Sequence, residues 1–169
     1  MTIISTEADM SASRILPEIN VSTLMTLMFA GALATVAFDL FGQALSPALG
    51  FAKLAPVGLA KGTLSAIFGA APKGMGELLH YATGMLAYPL GWFLIARPVW
   101  QAIMPRLHWL VPAVVYGVAL WVFALYGVAH FVAGMKPFLG FTGITWVALV
   151  GHVLFAVVAA WVTETRKVR

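Results

Sequence analysis

The chain has 169 residues, of which 62% are hydrophobic and 9% charged, with a formal net charge of +4 and a mean hydropathy of +0.94. A soluble domain is about 25% charged, so this chain has too little charge to coat a water-facing surface. That excludes intrinsic disorder and argues against a soluble enzyme or a nucleic-acid-binding module, leaving an integral membrane protein. The sequence has no cysteine, which removes disulfides, thiolate metal sites and cysteine nucleophiles.

Residues 1–20 are polar and carry three acids against Arg14. They read as a cytoplasmic tail rather than a secretory leader, which has a basic start. Span 1 is expected over residues 21–45, capped by Asn20 and stopped by Ser46-Pro47. Residues 47–76 are broken by Pro47, Pro56 and Pro72. Within them, residues 55–70 read as an interfacial or re-entrant helix, with a fifth span as the alternative. Lys61 lies at the edge of its apolar face, where it can snorkel. Span 2 is expected over residues 77–96, ending at Arg97-Pro98. Span 3 is expected over residues 108–134 and span 4 over 140–162, joined by a tight turn. Residues 164–169 form a basic tail. Pro89 and Pro112 are expected to kink spans 2 and 3. The expected fold is all-α, a four-helix membrane bundle with one extra helix.

In this arrangement both termini and the 97–106 loop share a side, which holds six of the ten Lys and Arg residues and all five arginines. The positive-inside rule places that side in the cytoplasm. Trp100, Trp109 and Trp161 gather near the same edge, as an interfacial aromatic belt does.

Ionisable groups inside a span are costly and mark candidate sites. Gly31, Thr35, Asp39 and Gln43 form a polar stripe on span 1. Glu77, His80, Tyr81, Gly84, Tyr88 and Gly91 share a face of span 2, opposite a lipid face of Leu79, Leu86, Leu90, Phe93 and Leu94. Tyr116, Gly127, His130 and Gly134 line up on span 3, and Thr145, Ala148, His152, Ala156, Ala159 and Thr163 on span 4. At about 1.5 Å per residue, Asp39, Glu77, His80, Tyr81 and His130 fall in one layer of the outer half, with His152 nearer the midplane. Three readings of these residues compete. They fix helix packing by hydrogen bonds; they handle protons or ions; or His80 and His130 ligate a b-type haem or a metal. No catalytic motif is present, so a non-enzymatic role is expected, with no nucleic-acid partner. The expected surroundings are the lipid bilayer, and other membrane subunits or self-association. An accessory subunit of a respiratory or photosynthetic complex is the rival to a free-standing proton or ion role.

Short motifs carry a resemblance. They are Leu79-His80 with Gly84 and Tyr88-Pro89, Tyr116-Gly117 with Leu120-Trp121, and Gly151-His152 followed by an aromatic residue. With the Pro/Gly-rich segment after span 1, residues 22–163 resemble the YagU-like group of small bacterial inner-membrane proteins. The resemblance implies a four-helix inner-membrane protein, with a link to acid tolerance in some relatives. It matches His152 to the family's Gly-His pair and His80 to the histidine opening its second main helix. The segment between spans 1 and 2 departs from the family in being shorter and more basic.

Overall fold

The computed structural model describes residues 20–166; the expected tail at 1–20 and the end of the basic tail lie almost wholly outside them. Asn20 opens the first helix by accepting a hydrogen bond from the Thr23 N–H at 2.9 Å, as expected of an N-cap. Helix α1 then runs Val21–Ala48, past Ser46-Pro47, where the sequence reading ends it. The chain achieves this with a wide turn in which the Ser46 N–H bonds Phe41 O, five residues back. Such a turn relieves the clash and the missing donor that a proline brings to a helix interior.

Helix α2, Pro56–Phe68, has 13 residues, about 20 Å of helix against a hydrocarbon core of about 30 Å. It packs on the start of α3 and on the last part of α4. The segment leading to it is pinned back on α1 by Leu54 N–H to Gly42 O (2.8 Å) and Ser46 Oγ to Ala52 O (2.8 Å).

Helix α3 spans Met75–Ile103 and does not stop at Arg97-Pro98. Two more wide turns, Thr83–Ala87 and Trp92–Ala96, stand just before Tyr88-Pro89 and Arg97-Pro98. Each adds one residue to a turn and rotates the downstream face by roughly 100°. This corrects the expected lipid face. Leu86 is exposed, but Phe93 is fully buried with Leu27, and Leu79 faces an internal cavity.

Helix α4 is Leu110–Val132. Pro112 falls in its first turn, where a backbone N–H has no intrahelical acceptor, so the donor that proline lacks breaks no helix bond there. Gly134, with φ +68°, lies beyond the helix end. The chain then reverses through Phe138, Leu139, Gly140 and Phe141, all in the left-handed region with φ of 49°, 54°, 73° and 53°. The Phe138 ring stacks on Tyr126 and packs on Trp121, and its carbonyl accepts from Thr145 Oγ1 at 2.6 Å. Helix α5 is Gly143–Thr165.

Among the described residues, α1, α3, α4 and α5 are long and apolar enough to cross a membrane. The chain is an all-α, multi-pass membrane protein. The α5 helix packs most extensively, on α4 and α1, while α1 also packs on α3. All six residues of the small and polar stripe predicted on span 4 are buried. Outward, Val36, Leu40, Ile95, Val115 and Phe123 are more than half exposed. An apolar belt of this kind is at home in lipid and a liability in water.

Two close crossings hold the bundle. A Cβ at Gly84 would strike the Thr35 hydroxyl, and one at Gly117 would strike the Val153 backbone. At one end of the bundle, Arg97 Nε pairs with Glu164 Oε1 at 2.8 Å and Trp92 Nε1 donates to Thr163 Oγ1 at 3.0 Å. This arginine-bearing end gathers the start of α1 and the ends of α3 and α5. The opposite end carries Lys53, Lys61, Lys73 and Lys136.

Gly117→Val should destabilise the bundle by about 1–3 kcal/mol, since the added atoms meet backbone that cannot turn aside. Gly58→Ala, exposed and with its nearest neighbour at 3.6 Å, should instead gain about 0.5–1 kcal/mol by easing helix formation in α2. Reversible denaturant unfolding in micelles measures both.

Candidate functional site

The antiparallel crossing of α1 and α3 sets the register of the polar side chains. Thr35 lies against Gly84. Four residues further along α1 is Asp39, and four residues back along α3 is His80. These two therefore meet one turn from the crossing. His80 Nε2 lies 3.1 Å from both Asp39 Oδ1 and Oδ2. Gln43, one turn on, donates from Nε2 to Asp39 Oδ1 at 2.9 Å. An ionised carboxylate only accepts, so Nε2 of His80 carries a proton and donates it to Asp39. The other ring nitrogen of His80, Nδ1, has no protein partner among the described residues. The pair is mostly shielded, with side chains 13% and 21% exposed. The Tyr81 ring packs beside His80 at 5.1 Å, with its own side open to the exterior.

Deeper in the bundle is His152, buried on α5. Its Nδ1 donates to Ala148 O at 2.7 Å; a carbonyl only accepts, so this nitrogen holds the proton. The Phe38 ring stands between the two imidazoles, with centroids 6.4 Å from His80 and 5.1 Å, edge-on, from His152. His80, Phe38 and His152 line one cavity of about 340 Å³, walled by all five helices.

The remaining predicted residues lie elsewhere. Glu77 does not join His80; its Oε1 takes Lys61 Nζ at 2.9 Å, tying α2 to α3. The stem of Lys61 crosses Gly76, where a Cβ would collide with it. His130 caps the end of α4, donating from Nδ1 to Met135 O at 2.7 Å, with its ring beside Tyr126 and Phe131. The expected single layer is thus three separate groups: the Asp39–His80–Gln43 cluster with Tyr81, the Lys61–Glu77 staple and the His130 cap. Of His80 and His130, the residues considered for haem, His80 lines the cavity described above and His130 does not. Among the described residues no three or more His, Cys, Asp or Glu side chains gather as a metal site. Sequence reasoning missed Lys61 as the partner of Glu77 and Arg97 as the partner of Glu164. For Arg97 and Glu164, opposite charges near the ends of two spans were the available signal.

The fold defines a polytopic helical membrane protein with a carboxylate–imidazole pair between two of its spans. No protein-family model matches the chain, and neither a curated protein nor a solved structure matches it.

Removing the Asp39 carboxylate should strand His80 and Gln43. Asp39→Ala should cost about 1–3 kcal/mol, the range for leaving buried polar groups unpaired. Glu77→Ala, whose ion pair is nearly half exposed, should cost less than about 1 kcal/mol. A double-mutant cycle should show coupling between positions 39 and 80 and none between 77 and 80.

Proposed function

We propose that this is a non-enzymatic inner-membrane protein that takes up and releases protons at the Asp39–His80 pair. The observation that carries the reading is the contact of His80 Nε2 with both Asp39 oxygens inside the bundle. Ionisable pairs in spans are typical of proton relays. Here the proton is accepted at His80 Nδ1. The imidazolium that forms is balanced by the Asp39 carboxylate it already contacts, and Gln43 steadies the carboxylate by donating to it. The pair thus holds a proton without placing a net positive charge in hydrocarbon. Release returns the ring to its neutral form with Nε2–H still on Asp39. Proton movement or pH homeostasis is the role this chemistry serves. The proposed kinship with the YagU-like proteins rests on the short motifs and agrees with such a role.

The lysine-bearing end faces the outside in this reading, and the arginine-bearing end faces the cytoplasm. The charge count supports that orientation through the positive-inside rule.

Two measurements test these points. Proteoliposomes holding the full chain should pass protons faster than empty vesicles, and both Asp39→Asn and His80→Ala should return the flux to the empty-vesicle level. Flux that is absent in the parent protein, or unaltered in both variants, contradicts the reading. For orientation, alkaline phosphatase fused after Arg169 should be inactive, and the same enzyme inserted in the turn at residues 70–73 should be active.

A further inference from the structure

The cavity between the five helices holds polar atoms that the proton reading does not use. Its volume, about 340 Å³, falls in the range of small-molecule sites. Its wall is largely apolar and rich in rings, including Phe38, Phe123, Phe155 and Tyr88. His152 also lines it and is only 7% exposed. Because Nδ1 of His152 is bound to its own helix at Ala148 O, Nε2 is left with a lone pair and no protein partner among the described residues. Among the described residues the Tyr88 hydroxyl also has no protein partner, while its backbone oxygen accepts from the Tyr116 hydroxyl. Among the described residues, the one fully enclosed side-chain polar atom without a partner is Glu77 Oε2. His152 Nε2 and Tyr88 Oη are therefore not fully enclosed, and both residues line the cavity. The two ring centroids are 6.4 Å apart, so both side chains belong to the same part of the cavity wall.

Unpaired acceptors in an apolar interior are costly, and folded proteins rarely leave them so. We infer that this cavity binds a small aromatic molecule carrying a hydroxyl group, held by its O–H donating to His152 Nε2 and its oxygen accepting from Tyr88. A neutral imidazole nitrogen calls for a donor, which a ketone or an ether lacks. No lysine or arginine lines the cavity, so a carboxylate or phosphate would be buried without a counter-charge. The surrounding rings favour a flat partner through edge and offset contacts. The inference is independent of the Asp39–His80 reading, since its two anchoring atoms are neither proton donor nor acceptor in that pair.

The test uses the purified full chain in micelles, with 2-naphthol as probe and its methyl ether, 2-methoxynaphthalene, as the matched compound without a donor. Fluorescence titration should show saturable, one-to-one binding of 2-naphthol above the partition into empty micelles. The ether should bind about tenfold more weakly, the equivalent of one buried hydrogen bond. His152→Phe, which keeps the ring and removes the acceptor, should lower 2-naphthol binding to the level of the ether, with circular dichroism confirming the helical fold. If that variant does not fold, the comparison of the two probes on the parent chain decides. Binding no greater than in empty micelles, equal binding of the ether, or undiminished binding by folded His152→Phe would overturn the inference.

Discussion

Where Thr35 meets Gly84, α1 and α3 approach so closely that one added methyl group would part them. Much of the site follows from that crossing. It sets the axial register of two antiparallel helices, and a register error of one residue would swing Asp39 away from His80. In a bilayer no water is present to satisfy a misplaced carboxylate, so close packing and polar pairing have to succeed together. The Asp39–His80 contact is the polar consequence of an apolar fit one turn away.

A second constraint comes from the prolines. Pro47, Pro89 and Pro98 each follow a turn widened by one residue, so proline does not end these helices as it would in a soluble protein. The widening lets α1 and α3 continue across the membrane, and it re-aims whatever lies beyond. In α3 the first wide turn, upstream of both residues, puts Phe93 against Leu27 and brings Trp92 to Thr163. Pairing between Arg97 and Glu164 then closes the same end of the bundle.

These turns also mark the limit of what the sequence discloses. The spans are legible because crossing hydrocarbon demands long apolar runs, and the buried stripe of α5 is legible because no proline disturbs its 3.6-residue period. The same period, extended through α3, assigns Phe93 to lipid, since nothing in the local pattern counts the inserted residue. Asp39 and His80 are legible as two of five residues at one depth, but not as each other's partner. Depth alone misleads for Glu77, because it ignores Lys61 on a helix that does not span. It misleads for His130 as well, because the carbonyl of Met135 lies within reach just beyond the end of α4.

The reversal between α4 and α5 adds a different kind of asymmetry. Phe138, Leu139 and Phe141 hold left-handed backbone angles that cost an L-residue roughly 1–2 kcal/mol each. They keep them because the Phe138 ring is clamped by Trp121 and Tyr126 and its carbonyl is held by Thr145. Leu139, in the same turn, forms part of the cavity wall. The hairpin is therefore a sprung catch on the rim of the cavity. Its contacts with Trp121, Tyr126 and Thr145 hold against a backbone that would relax on release.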